Sequence, residues 1–370
     1  MKISYVNGIC VKNDAISNSI RDEIRALRES GIDDIRLFAY VCEHDDLPSK
    51  VVSNVADIAY DAHFLESDVV IFHFGIYYPL FDLLSIVPAR AKRVVVFHNV
   101  TPREFVKPES RSLIDQSFSQ MSNIAWADHV ICVSDTNLDV LREAGINTPA
   151  TVLPLAIHSM SKAPTKKPSV DDDTVRMAFI GRFVKSKGPH ELLMALGNVL
   201  ESNRTCRLRL DMVGNLLFSD PELLAQIEVM MASLTQQYGH RISLKIHGNA
   251  SEAQKHEILQ DADLFVLPTY HEGFGVPIVE AISNGCYIIA YDNSNVPSVT
   301  NGFGQLVETG SLEGLSSEVG RAVERMTSPT WRGKEEGSYA SFVKRASRYA
   351  EDFSPSKVAR RFVNLVNNIQ

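Results

Sequence analysis

Cysteine is sparse in this 370-residue chain and follows no metal or redox pattern. Cys10, Cys42, Cys132, Cys206 and Cys286 are scattered, odd in number and without a CxxC pair. That argues against a disulfide frame or a zinc site and for reduced thiols in the cytoplasm. Long hydrophobic runs are missing too, since no stretch approaches the roughly 20 apolar residues that span a bilayer. The first residues, MKISYVNGIC, carry one lysine and pass straight into a strand-like run, so no signal peptide is expected. Positive charge is in deficit, with a formal net charge of −8, which argues against nucleic acid as a main partner. Neither half has a GxGxxG turn with an acid roughly 20 residues later, which argues against a dinucleotide oxidoreductase. No repeat or low-complexity segment stands out.

What is present reads as an α/β protein. The length exceeds that of most single domains, and 45% hydrophobic residues suffice for ordinary cores. Short apolar runs alternate with helical patterns, the signature of parallel sheets. In the first half, strands are expected at Ile3–Val6, Ile35–Tyr40, Val69–His73, Val94–His98, Val130–Val133 and Thr151–Leu155, with helices such as Ser19–Ser30 and Ser112–Ala127 between them. Residues 158–174, HSMSKAPTKKPSVDDDT, lack an apolar period and read as a linker. Strands resume at Met177–Ile180, Leu208–Val213, Ile242–Ile246, Leu264–Leu267 and Tyr287–Ala290. Two Rossmann-like domains are therefore expected: 1–160 and 175–353, joined by a linker at 161–174. Near the end, Ser354 and Pro355 suit the cap and first residue of a last helix.

The richest stretch is residues 268–285, PTYHEGFGVPIVEAISNG. The apolar run before it is a buried-strand candidate, and Pro277 sits where a first-turn proline is tolerated. The chain would leave a strand, turn through Gly273 and Gly275, and enter a helix whose N–H groups attract phosphate. Glu272 in the turn and Glu280 in the helix are eight positions apart. A second stretch, FIGRFVKSKGPHELLMAL (179–196), places Arg182, Lys187 and, less centrally, Lys185 between a strand end and a helix. Fixed cations suit a diphosphate leaving group, Arg by paired contacts and Lys as a point charge.

The HEGFG–VP–EA–NG framework resembles the signature of glycosyltransferase family 4, retaining enzymes with two Rossmann-like domains facing each other across a cleft (the GT-B fold). The resemblance implies that Glu272 lies beside the donor sugar, that Glu280 binds the ribose, and that Gly273, Phe274 and Gly275 shape the donor site. It implies diphosphate contacts from Arg182 and Lys187, and a catalytic-region role for His98, at the end of RVVVFHNVTP. His73, ending DVVIFHFG, is expected as a wall of the acceptor site, or else as a half-buried residue satisfied by backbone. Thr101 and Pro102 continue the match to polysaccharide-building members.

The first turn departs from the family: instead of Gly-Gly it has Asn7-Gly8, where Gly8 either lets backbone approach the donor or is a plain turn. Gly248, in Ile246-His247-Gly248-Asn249, is expected to read the base, and Gly214-Asn215 to line the nucleotide. Pro297-Ser298-Val299 stands where members often have Pro-Glu-Val. The last helix, about 354–370, is expected to return to the first domain.

Asp261-Ala262-Asp263 fits a metal-binding DxD, but it precedes a strand, where such pairs begin the strand. Asp171-Asp172-Asp173 reads as solvated. With Arg182 and Lys187 in the phosphate role, neither a metal nor a cofactor is expected. Between 90 and 111, six basic residues (Arg90, Lys92, Arg93, Arg103, Lys107, Arg111) oppose Glu104 and Glu109, within a first half that carries 14 basic and 21 acidic residues up to 160. That segment is either a peripheral contact with anionic lipid or a lipid-diphosphate acceptor, or an ordinary charged surface.

The leading reading is a metal-independent retaining hexosyltransferase using a GDP- or UDP-linked mannose- or glucose-type donor. The acceptor would be a saccharide or lipid-linked saccharide, in surface polysaccharide or O-antigen synthesis at the inner face of the cell membrane. The alternatives are a UDP-sugar 2-epimerase of the same fold and a non-catalytic nucleotide-sugar-binding subunit.

Overall fold

The computed structural model describes residues 1–12, 14–158 and 174–369. The chain forms two compact units, Met1–Ala156 with Phe353–Gln370, and Ile157–Asp352. The linker expected at 161–174, with Asp171-Asp172-Asp173, lies outside the described residues apart from Thr174.

The first unit is built on a seven-stranded parallel sheet. In chain order its strands are β1 (Ile3–Val6), β2 (Ile35–Ala39), β3 (Ser49–Val51), β4 (Val69–Phe74), β5 (Lys92–Phe97), β6 (His129–Cys132) and β7 (Ala150–Val152). In space the order is β3-β2-β1-β4-β5-β6-β7. All six residues of β4 are buried, His73 included, as expected when helices cover both faces of a parallel sheet. Phe72, Phe74, Phe81 and Phe97 fill one side of it.

Helix α1 (Ala15–Glu29) starts four residues before the expected Ser19, because Asp14 caps it by accepting from the Ser17 amide at 2.8 Å. Between β1 and α1 the chain makes a further two-residue strand, Ile9–Cys10, paired with Val41–Cys42. Pairs this short, and the exposed edge strand β3, carry no apolar alternation to betray them. The helix expected to reach Ala127 ends as α2 (Arg111–Met121) and continues as a tighter 3₁₀ turn, Ser122–Trp126.

The second unit has a six-stranded parallel sheet: β8 (Thr174–Ile180), β9 (Arg207–Gly214), β10 (Ile242–Gly248), β11 (Leu264–Leu267), β12 (Tyr287–Asp292) and β13 (Gly304–Glu308). Its spatial order is β10-β9-β8-β11-β12-β13. The edge strand β13, absent from the sequence reading, begins at Gly304, where a side chain would overlap the backbone of Ile288. Helices α3 (Pro189–Ser202), α4 (Glu252–Asp261) and α5 (Val276–Ser283) follow β8, β10 and β11.

The last helix, α6 (Pro355–Asn368), belongs to the first unit and packs on α1. Its buried residues Val358, Phe362 and Val366 recur every four positions, one stripe of an amphipathic helix.

Candidate active site

In each sheet the strand order reverses once, between β8 and β11 in the second unit and between β1 and β4 in the first. Chains leave such a pair in opposite directions, so the carboxyl ends bound a crevice in which open α/β sheets bind ligands. Arg182 follows β8 and Glu272 follows β11; Gly8 follows β1, while His73 is the second-to-last residue of β4.

At the second unit's crevice, Lys187 and Glu272 meet. The Lys187 Nζ lies 2.6 Å from Oε1 of Glu272, 3.1 Å from the carbonyl oxygen of His271 and 3.4 Å from Oγ1 of Thr269. Both side chains are largely buried, at 16% and 12% exposure. A charge-assisted bond there is stronger than a surface pair. Sequence reasoning gave the two residues separate ligands, yet here they hold each other. The three donors of the ammonium are engaged, so a phosphate can reach Lys187 only by sharing or displacing one of these partners. Arg182 and Lys185 are exposed.

The turn carrying Glu272 is fixed from behind by the loop after β12. Ser294 Oγ accepts from the Glu272 amide at 2.9 Å, Asn293 donates to the Thr269 carbonyl at 2.8 Å, and Asn295 donates to the Phe274 carbonyl at 2.6 Å. Gly275, at φ 100°, is the N-cap of α5 and offers no side chain to that helix start. Such an end is suited to an anion.

Glu280 lies one turn inside α5, only 4% exposed, and accepts from Lys255 of α4 at 2.8 Å. Burial pulls the Lys255 pKa down, but Glu280 and Glu252 outweigh it and hold the ammonium above its usual range. Phe274 is buried, while Gly273 is part-exposed beside it. Gly248 closes β10, and the side chain of Leu216 packs where its Cβ would stand. Gly214 approaches the Gly181 carbonyl, a contact a side chain would prevent. Behind Gly248, His247 is 2.7 Å from Asp211, whose other oxygen accepts from Arg209 at 2.8 Å.

In the first unit, Gly8 packs against Tyr78: a Cβ there would lie 3.3 Å from that of Tyr78, a structural reason for glycine that involves no ligand. His73 departs from its expected place. It is 1% exposed, which removes it from any acceptor-facing wall. Instead its Nδ1 lies 2.9 Å from Nε2 of His98 and its Nε2 lies 3.1 Å from Oε2 of Glu23 on α1. His98 is part-exposed, and burial, followed by the neighbouring His73, holds its pKa well below the usual value.

The DxD-like pair is an ion-pair node. Arg176 of β8 binds Asp261 at 2.9 Å and Asp263 at 3.1 Å, and Arg209 binds Asp261 at 2.8 Å. Among the described residues no group of three or more His, Cys, Asp or Glu side chains is poised to hold a metal. No helix among them is long and apolar enough to cross a membrane.

Lys255, Glu23 and the Asn293-Ser294-Asn295 clamp went unnoticed in the sequence. Glu23 and His73 are 50 positions apart and Lys255 and Glu280 are 25 apart, so no local pattern links them.

Paired Rossmann-like units with these strand ends define a GT-B type glycosyltransferase fold. A solved glycosyltransferase from Rickettsia africae aligns with a TM-score of 0.75 at 15% identity, over 100% of this chain and 98% of that one. Residues 162–327 match the family described as glycosyl transferases group 1. D-inositol 3-phosphate glycosyltransferase of Corynebacterium diphtheriae is 29% identical over 137 residues, which is 37% of this chain and 30% of that protein. N,N'-diacetylbacillosaminyl-diphospho-undecaprenol alpha-1,3-N-acetylgalactosaminyltransferase of Campylobacter jejuni is 28% identical over 115 residues, 30% of this chain and 28% of that protein. The matched part thus spans less than a third of either curated relative.

Proposed function

We propose that the protein is a retaining glycosyltransferase of family 4 type. It moves a mannose- or glucose-type hexose from a GDP- or UDP-linked donor to a hydroxyl of a saccharide or lipid-linked saccharide. The observation that carries this reading is the Lys187–Glu272 pair beside the glycine-capped start of α5, at the switch point of a parallel sheet. A diphosphate suits the helix start and the exposed Arg182, and its arrival draws Lys187 off Glu272 toward the phosphate. The freed carboxylate then faces the sugar. Fixed positive groups stabilise charge developing on the leaving diphosphate, so no metal is required in this scheme. Glu280, set by Lys255, takes the ribose, and His98 contacts the sugar. The leaving phosphate oxygen takes the acceptor proton.

The names of the relatives, one acting on a diphospho-undecaprenol-linked sugar, favour assembly of surface polysaccharide on a lipid carrier at the inner face of the cell membrane. The basic 90–111 segment, joined by exposed Leu113, Phe118 and Trp126, is suited to peripheral contact with anionic lipid.

A thermal-shift screen against UDP, GDP, dTDP and CMP sugars identifies the donor, because selective binding stabilises the fold by mass action. Glu272→Ala is then expected to abolish transfer of that sugar while the protein remains folded. Near-normal turnover in this variant overturns the assignment. Donor binding by the wild type without transfer to any acceptor favours a binding subunit, and release of a 2-epimer without acceptor favours an epimerase.

A further inference from the structure

His98 is one of two histidines at neighbouring strand ends, and the chain behind it specifies which of its nitrogens carries the proton. Glu23 comes from α1, His73 from the end of β4, and His98 from just past β5. The side chains of His73 and Glu23 are 0% and 10% exposed, so water has little access to their bonds. The other oxygen of Glu23 accepts from the Ser19 hydroxyl at 2.9 Å. The two imidazoles lie with centroids 5.1 Å apart and planes 21° from parallel, and Tyr5 stacks on His73 at 6.2 Å. The seat is tight: a Cβ on Gly75 would come within 3.3 Å of that of His98.

Each of the two bonds along this chain holds one proton. An ionised carboxylate only accepts, so His73 must donate through Nε2 to Glu23. When the His73 ring is neutral it offers a lone pair at Nδ1, and the proton in the second bond then comes from Nε2 of His98. We propose that Glu23 and His73 are positioning residues that fix His98 as its Nε2–H tautomer and leave Nδ1 as an acceptor for a hydroxyl of the bound sugar. Among the described residues nothing engages that Nδ1. An imidazolium has no acceptor, and the depressed pKa of His98 keeps the ring neutral. The sugar contact rests on the proposed transferase reading, whereas the tautomer assignment does not.

Two-bond ¹H–¹⁵N correlation spectra of histidine-labelled protein at mildly alkaline pH read the tautomer directly, with His73→Asn and His98→Asn assigning the signals. The wild type is expected to show both rings protonated on Nε2 alone. Glu23→Leu removes the acceptor and is expected to shift the His98 nitrogens toward a tautomer average. Glu23→Gln, whose amide oxygen still accepts, is expected to retain the wild-type pattern. In Glu23→Leu, affinity for UDP-glucose or GDP-mannose, whichever the wild type binds, is expected to fall about tenfold, the scale of one lost hydrogen bond.

A wild-type His98 protonated on Nδ1, or an unchanged single tautomer in Glu23→Leu, overturns the relay. The wild-type spectrum needs no substrate, so a wrong donor assignment leaves it decisive. An averaged tautomer in Glu23→Leu with unchanged donor affinity keeps the relay and overturns the sugar contact.

Discussion

At the scale of single residues, burial decides which polar constellations can act. The first unit also holds a Ser–His–Asp chain: His63 Nδ1 is 3.0 Å from Ser4 Oγ, and its Nε2 is 3.1 Å from Asp34. Ser4, however, is 0% exposed and shares its hydroxyl with Ser67 at 2.8 Å, so no substrate reaches it. The His98 chain differs because its last member is part-exposed. Both systems leave a mark on pH dependence. Burial, the leading cause in each case, holds His63, His98 and His129 below 6.5. Below that value the unfolded chain binds protons that the folded chain does not, so stability is full above about 6.5 and falls as pH drops toward the lowered values. The melting temperature is therefore expected to decline from about pH 7.5 to about pH 5, above the carboxylate range. His98→Asn should flatten part of that slope, and an unchanged slope in calorimetry contradicts the assignment.

Elements explain what sequence could and could not supply. The apolar strands β4, β5, β11 and β12 were legible because uninterrupted apolar runs mean strands covered on both faces. The α5 turn was legible because its glycines and Pro277 carry backbone requirements visible in one dimension. The Lys187–Glu272 bond was not, since it joins two loops 85 positions apart. Nor was the reason for Gly188. It sits at φ 64° between the 3₁₀ turn carrying Lys187 and the start of α3, and a Cβ there would overlap the Pro268 carbonyl. The left-handed conformation alone disfavours alanine by roughly 1–2 kcal/mol. Gly188→Ala should lower the urea midpoint and also weaken donor binding, because relief of the overlap moves Lys187 away from the Glu272 turn. Loss of stability with intact affinity would separate the two effects.

On the scale of the whole molecule, two parallel sheets were expected from the restart of the strand pattern after residue 174, and two parallel sheets are found. The order of strands within each sheet was beyond reach, because it depends on which apolar runs pair and not on their composition. The first unit is completed only by α6, whose Phe362 is 2% exposed and Val366 0%. Phe362→Ala should cost roughly 3–5 kcal/mol, as large-to-small changes in a core do. In calorimetry the transition of the first unit is expected to shift, while the transition raised by a nucleotide ligand stays in place. A common shift of both would mean that the units unfold as one. The same helix also sets the order of events during synthesis. Residues 1–156 leave the ribosome before all 196 residues of the second unit, and their own last helix follows only after Asp352. Throughout that interval the surface that Val358, Phe362 and Val366 will cover stays open to water, so the first unit gains its last apolar contacts only after translation has passed α6.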